Sequence, residues 1–241
     1  MRRFESKRIG RLFLGLVLSV ATFSACLKDE AEVDQISAVR ALNAVPGSGQ
    51  FDIGLDQNQL NFDRHAMKAE DFAYGDTLPY KNAWPGNRWV RVFETGSGAS
   101  TQPVVQGTVQ FLPGRFYSLY VVGHEELEVM ITEDDLSAPE EGKAKIRFVH
   151  LSPDAPALDF GIAGEEAFIA SNKAFKGVED FSSIDAGETY RFNILEHRNG
   201  NVIHTFEFAP SKGMIYTIWA KGLIDHDGDT ALDFGHDIIV H

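Results

Sequence analysis

The chain has 241 residues, enough for one large or two modest hydrophobic cores, and carries 35 acidic against 22 basic side chains, a net charge of −13. Without residues 1–25 the balance is 34 acidic to 17 basic side chains, a charge of −17. A surface this acidic excludes nucleic acid and anionic lipid headgroups as expected partners, because both attract positive charge. The single cysteine excludes a disulfide within the chain.

The first 25 residues have the order of a secretory signal peptide. Five basic residues precede an apolar run over residues 12–23, and small residues lead to Cys26. The segment Phe23-Ser24-Ala25-Cys26 resembles a lipobox, so Cys26 is expected to be lipidated and to begin the mature chain. The alternative is an ordinary signal peptide with an unmodified cysteine. The apolar run is too short to span a bilayer.

Residues 26–36 are predicted to be an acidic tether behind the lipid. Lys28-Asp29-Glu30 resembles the surface-export signal of Bacteroidetes lipoproteins. The expected location is therefore the outer membrane, with this motif favouring exposure at the cell surface. The alternative is a solvated tether without a signal.

Residues 37–241 contain an internal repeat with an offset of 107. The segment from Val39 to Pro46 aligns with the segment from Ile146 to Pro153. Within the repeat, Arg40 matches Arg147 and Asp52 matches Asp159. We predict two domains, residues 37–142 and 143–241, with the boundary in the acidic stretch 133–142.

Both copies have the patterns of short strands. Residues 190–195 alternate apolar and polar side chains, and Asn199-Gly200 after them is a strong signal for a hairpin turn. No long segment has a helical period. The prediction is an all-β protein of two tandem antiparallel β-sandwiches, immunoglobulin-like in architecture.

Residues 146–161 read Ile-Arg-Phe-Val-His-Leu-Ser-Pro-Asp-Ala-Pro-Ala-Leu-Asp-Phe-Gly. This segment resembles the opening motif of the DUF4397 family, a domain of unknown function common in bacterial envelope proteins and lipoproteins. The resemblance is strongest in the second repeat, where Arg147, His150, Pro153 and Asp159 carry it. The first copy keeps Arg40, Pro46 and Asp52, and Asn43 replaces the histidine. The resemblance implies fold and location, and it implies no catalytic residue.

The motif residues are expected to have structural roles. His150 should face inward with its ring nitrogens bonded to backbone or to Asp154 or Asp159, and Asn43 should take the same role. The matching arginines and aspartates are interpreted as ion pairs between neighbouring strands, Arg40 with Asp52 and Arg147 with Asp159. The alternative is a hydrolase centred on His150, Asp154 and Asp159.

One acidic segment bears on metal binding and another on acid–base catalysis. Asp225, Asp227 and Asp229 are a weak candidate for Ca²⁺, although their spacing fails the EF-hand pattern and also fits a hairpin turn. Asp134 and Asp135 are expected to be solvated. The scattered histidines do not predict zinc, and we expect no cofactor.

Trp84 and Trp89, with Tyr74 and Tyr80, are the candidate ligand contacts. An exposed indole in the turn at Trp84-Pro85-Gly86 could stack on a sugar or a partner, and core packing is the alternative. The function predicted is a lipid-anchored envelope module that binds glycan or protein, or scaffolds other components, without catalysis. The alternatives are the hydrolase and a calcium-stabilised adhesin.

Overall fold

A computed structural model describes residues 36–96 and 102–241, so the predicted signal peptide, Cys26 and most of the tether lie outside the described residues. The described residues of the first repeat form ten strands: β1 Ser37–Asn43, β2 Phe51–Leu55, β3 Asn58–Gln59, β4 Phe62–Asp63, β5 Lys68–Ala69, β6 Thr77–Ala83, β7 Gly86–Glu94, β8 Val105–Phe111, β9 Phe116–Gly123 and β10 Leu127–Glu133. The second contains a 3₁₀ helix, Thr230–Leu232, and eight strands: β11 Lys143–His150, β12 Leu158–Ile162, β13 Phe168–Lys173, β14 Ser182–Asp185, β15 Tyr190–Glu196, β16 Val202–Phe208, β17 Ile215–Lys221 and β18 Gly235–Val240.

Each repeat is a sandwich of two four-stranded sheets. The orders are β10-β9-β1-β6 and β3-β2-β7-β8 in the first repeat, and β18-β17-β11-β14 and β13-β12-β15-β16 in the second. Each strand of the second copy has its counterpart at the same place in the first, and the short hairpin β4-β5 of the first copy has none. The prediction of an all-β fold with two sandwiches is confirmed.

One strand pair in each sandwich is parallel, which differs from the purely antiparallel expectation. β1 pairs with β9 and places Arg40 beside Ser118, and β11 pairs with β17 and places Arg147 beside Thr217. Hairpin patterns identify only strands that are neighbours in the chain. The parallel partners are far apart in sequence, and no turn signal marks them.

Two hydrophobic cores fill the sandwiches, and a third lies between them. The third core joins side chains of both repeats, including Leu42, Tyr120, Val149 and Trp219. The sheets β10-β9-β1-β6 and β18-β17-β11-β14 therefore pack back to back and are covered on both faces. This explains the nearly continuous apolar sequences of β9 and β17, whose side chains are buried without alternation. Within the described part of the chain, no helix is long and apolar enough to cross a membrane.

Candidate functional site

Arg147 does not pair with Asp159, which corrects the predicted ion pair. Arg147 lies on β11 in one sheet and Asp159 on β12 in the other, so they are not neighbours. The Arg147 Nη2 atom donates instead to the Asp134 Oδ1 atom at 2.5 Å, and both side chains are buried. Asp134, expected to be solvated, is the counter-ion between the repeats.

The Arg147–Asp134 pair belongs to a closed ring of hydrogen bonds. The Arg147 Nε atom donates to Thr217 Oγ1 at 2.8 Å, and Thr217 Oγ1 lies 2.7 Å from His241 Nε2. His241 Nδ1 lies 2.7 Å from the Tyr80 hydroxyl, which donates to Asp134 Oδ2 at 2.6 Å. A neutral His241 with its proton on Nδ1 satisfies every member. Burial lowers the pKa of His241 to about 3, which favours this neutral form.

Arg40 occupies the matching position and makes one hydrogen bond that matches those of Arg147. Its Nη1 atom donates to the Val240 carbonyl oxygen at 2.8 Å, as Arg147 Nη1 donates to the Glu133 carbonyl oxygen at 3.3 Å. Arg40 also lies 5.3 Å from the centre of the Tyr80 ring. Asp52 is not its partner, so the first predicted pair is also wrong. The repeated arginines stabilise the contact between the two sandwiches.

The two aspartates on β2 and β12 instead hold the neighbouring edge of their own sheet. Asp52 accepts from the side chains of Gln59 and Asn61 at 3.0 and 3.2 Å. Asp159 accepts from the Ser171 hydroxyl and the Asn172 N–H at 2.8 Å each, and from His197 at 2.9 Å. Burial opposes the charged form of Asp159, but these donors bring its pKa below the usual value.

His150 is fully buried on the inner face of β11. Its Nε2 atom donates to the Pro156 carbonyl oxygen at 3.0 Å, and its Nδ1 atom accepts from the Ser152 N–H at 3.3 Å. Burial lowers its pKa, in agreement with a neutral ring. Asn43 in the first repeat makes the same kinds of bond, since its Oδ1 atom accepts from the Val45 N–H and its Nδ2 atom donates to the Phe72 carbonyl oxygen.

The turn around Pro153 holds the long loop that follows β17. Ser152 Oγ donates to the Gly222 carbonyl oxygen at 2.8 Å, and the Asp154 carboxylate accepts from the N–H groups of Ile224 and Asp225. Asp154 and Asp159 therefore bind different partners. Within the described residues no hydrogen bond joins His150, Asp154 and Asp159 to one another, so these bonds do not assemble the centre that the hydrolase hypothesis needs.

The loop that carries Asp225, Asp227 and Asp229 is organised by protein contacts. Asp229 Oδ1 accepts from the Ala231 N–H at 3.0 Å and caps the 3₁₀ helix, and His226 Nε2 lies 2.8 Å from Asp233 Oδ1. Among residues 36–96 and 102–241, no group of three or more His, Cys, Asp or Glu side chains could hold a metal ion.

The four aromatic candidates are not brought together. Tyr80 lies in the hydrogen-bond ring, and Tyr74 packs against the core between the repeats. Trp84 lies at the turn between β6 and β7, and Trp89 lies on the outer face of β7. Their positions define two surfaces, one at the end of the first sandwich and one on its sheet.

The sheet surface is the candidate binding site, and we call it the aromatic face. It consists of Trp89, Arg91 and Phe93 on β7, with Thr108 and Gln106 beside them on β8. Trp89 is 43% exposed, and the Arg91 guanidinium lies 4.4 Å from its ring centre and 5.7 Å from that of Phe93. Arg91 Nη2 donates to the Asp56 carbonyl oxygen at 2.6 Å, which fixes the stack. The alternation Trp-Val-Arg-Val-Phe is the sequence signal for this face.

A cleft of about 1150 Å³ lies at the end of the first repeat near residues 45–51 and 124–127. Glu94, Glu125 and Glu126 line it with carboxylates, and no exposed tryptophan contributes to it. The aromatic face offers the stronger combination of apolar surface and hydrogen-bonding groups.

The fold and this surface define a tandem β-sandwich with an exposed aromatic sheet face. A family model described as "Domain of unknown function (DUF4397)" matches residues 37–161, more than half of the chain. The protein belongs to the DUF4397 family. The match covers the first repeat together with β11 and most of β12, although the resemblance seen in the sequence was strongest in the second repeat. No curated protein matches the chain.

Several solved structures align over most of the chain with low scores. One is a carbohydrate-binding module of family CBM26 from Eubacterium rectale Amy13K in complex with maltoheptaose, at 10% identity, 86% coverage of this chain, 96% of that chain and a TM-score of 0.26. Another is described as "Alpha-glucan binding by a streptococcal virulence factor", at 12% identity, 78% and 92% coverage and a TM-score of 0.28. At these scores the similarity carries no argument about this chain.

Proposed function

We propose that this protein is a non-catalytic binding module of the outer membrane, anchored through lipid on Cys26 and exposed at the cell surface. The ligand is a neutral glycan that stacks on Trp89 at the aromatic face. The exposure of Trp89 on a solvent-facing sheet is the observation that carries this proposal, because a large exposed indole beside polar groups is typical of a binding surface.

The surroundings of Trp89 fit hydroxylated ligands. Gln106 and Thr108 are exposed on β8 and present amide and hydroxyl groups that can both donate and accept hydrogen bonds. Arg91 adds N–H donors beside the ring. The charge of −17 disfavours anionic polysaccharides, which would be repelled over several ångströms. A neutral sugar with vicinal hydroxyls matches both observations.

Binding to soluble neutral polysaccharides such as glycogen, xylan and mannan, measured by calorimetry and affinity electrophoresis, tests the ligand class. Trp89→Ala should reduce affinity for any polysaccharide that binds by about 10-fold or more, because central aromatic contacts dominate such interfaces. Arg191 occupies the matching position of the second repeat, so Arg191→Ala is the control and should leave affinity unchanged. Equal losses in both variants, or binding that survives Trp89→Ala, would contradict the proposal.

The anchor is tested separately. Mass spectrometry of protein extracted from membranes should find an acylated Cys26 as the first residue, and Cys26→Ser should release the protein from the membrane fraction. A mature chain that begins elsewhere, or complete retention of the Cys26→Ser variant, would contradict the anchor and leave glycan binding to be judged by its own experiment.

A further inference from the structure

The end of the first sandwich nearest the N-terminal tether carries four exposed apolar side chains, which we call the basal patch. They are Ile36, Trp84, Leu112 and Phe116, with exposed fractions of 43%, 59%, 49% and 40%. Single exposed apolar side chains are ordinary, but a contiguous group of large ones marks a surface that contacts a partner or a membrane.

Strand register places these residues together. Ser37 pairs with Ala83 in the antiparallel ladder, so Ile36 and Trp84 occupy the next two facing positions beyond that pair. The Ser37 hydroxyl donates to the Leu112 carbonyl oxygen at 2.8 Å, and Ala38 pairs with Phe116. One end of one sheet, with the turn after β8, therefore presents the whole patch.

The second repeat shows that the fold does not require this apolar end. Lys143 stands at the position of Ile36 and Asp185 at that of Trp84, and the two form an ion pair at 3.0 Å. Ser211 stands at the position of Leu112, because each of these residues donates its backbone N–H to the equivalent tyrosine hydroxyl.

The remaining position differs in burial. Ile215 stands where the first repeat has Phe116, and it is only 7% exposed. The apolar end is thus specific to the first repeat, which is the repeat that follows the tether.

We infer that the basal patch is a membrane-contact surface that lies on the lipid bilayer when the chain is held there through Cys26. This inference rests on the lipid anchor of the proposed function. Ile36 belongs to the patch and stands ten residues after Cys26, a span of at most about 35 Å. The tether therefore enters the folded protein within the patch itself, and the lipid keeps this end nearest the bilayer.

The chemistry of the patch fits a zwitterionic lipid surface. Tryptophan is enriched at membrane–water interfaces, where its ring meets acyl chains and its N–H meets headgroups. A single acyl chain gives only marginal binding, so a second apolar contact would add to the hold on the membrane. At the rim, Arg88 donates to the Trp84 carbonyl oxygen and pairs with Asp56, and Arg115 before Phe116 pairs with Glu133. The rim therefore carries balanced charges, which suit a zwitterionic surface better than an anionic one.

The sole cysteine makes the inference testable with the chain from Cys26 to His241, which contains every described residue. Its thiol is coupled to a maleimide lipid in phosphatidylcholine vesicles, and quenching of tryptophan fluorescence by brominated lipid reports contact with the bilayer. The three tryptophans are at positions 84, 89 and 219, and Trp219 is buried. We expect quenching that is lost in Trp84→Phe and kept in Trp89→Phe.

A transplanted variant guards against misfolding and separates this inference from glycan binding. Ile36→Lys combined with Leu112→Ser gives two patch positions the residues that the second repeat carries and keeps Trp84 as the fluorescent reporter, so it should abolish quenching while polysaccharide affinity stays unchanged. Quenching that is absent in the coupled wild-type protein, or that persists in this double variant, overturns the inference. Loss of polysaccharide binding in Trp89→Ala tests the aromatic face alone and does not depend on the quenching result.

Discussion

The two sandwiches share their strand order and register but differ at their surfaces. The first carries Trp89, Arg91 and Phe93 where the second carries Arg191, Asn193 and Leu195. In the second repeat the polar groups satisfy one another, since Thr205 Oγ1 donates to Asn193 Oδ1 at 2.8 Å. The comparison teaches that the interior determines the fold while the outer faces can differ. One copy presents an exposed aromatic face, and the other presents polar side chains that bond to one another.

The largest expected effect concerns the arginines that join the copies. Arg147→Ala leaves the Asp134 carboxylate buried without its counter-ion, which should cost about 3–5 kcal/mol of stability. Arg40→Ala removes a hydrogen bond to a backbone carbonyl and should cost about 1 kcal/mol. Urea unfolding of the mature chain compares them, and equal losses would show that the two contacts are energetically equivalent.

A smaller effect is expected at the histidine of the motif. His150→Ala should cost about 1–3 kcal/mol, because the Pro156 carbonyl oxygen and the Ser152 N–H lose their buried partner. His150→Asn should be milder, since Asn43 makes the matching bonds in the first repeat. The whole chain must be used, because an isolated second repeat would expose the core between the sandwiches. Unchanged stability in the alanine variant, with lost ligand binding, would contradict the structural role and favour a site at His150.

Acid should loosen the second repeat before the first. His150, His204, His236 and His241 all lie in the second repeat, and burial is the largest cause that lowers each pKa, to about 4 for His236. Because the unfolded chain binds protons near pH 6.5 and the folded chain does not, stability is complete above about pH 6.5 and falls as the pH decreases towards 4.

Hydrogen exchange at pH 7.5 and pH 5 measures this difference for the separate strands. Faster exchange in β11–β18 than in β1–β10 at pH 5 is the expected result. His236→Gln should weaken the pH dependence, and a uniform response of both repeats would argue against a histidine origin.

The smallest effect on stability is expected at the basal patch. Ile36→Lys with Trp84→Asp exchanges exposed side chains for others that the same strand positions already tolerate in the second repeat. The urea midpoint should stay where it is in the wild-type protein, and a large decrease would show that the patch supports the fold instead of presenting a surface.

The sequence predicted the features that its own patterns record, namely the repeat and the local alternation and turn signals. The offset of 107, the alternation in β15 and the Asn199-Gly200 turn identified the strands and the two sandwiches. The sequence did not predict that Arg147 pairs with Asp134. Two adjacent acids after a strand are expected to be solvated, and Asp134 is buried only because the second sandwich packs over it. Trp84 and Trp89 were grouped by proximity in the chain, although one belongs to a strand face and the other to a turn.

The covalent link between the sandwiches relaxes a constraint that symmetry would otherwise impose. In a homodimer of single repeats, any substitution at the contact appears on both sides of the two-fold axis. Here Asp134 follows β10 and faces Arg147, while its counterpart after β18 is His241, which reaches Tyr80 and Thr217 instead. The contact between the sandwiches therefore contains one charged pair, where a symmetric homodimer would contain two. Because the contact is intramolecular, its strength does not depend on protein concentration.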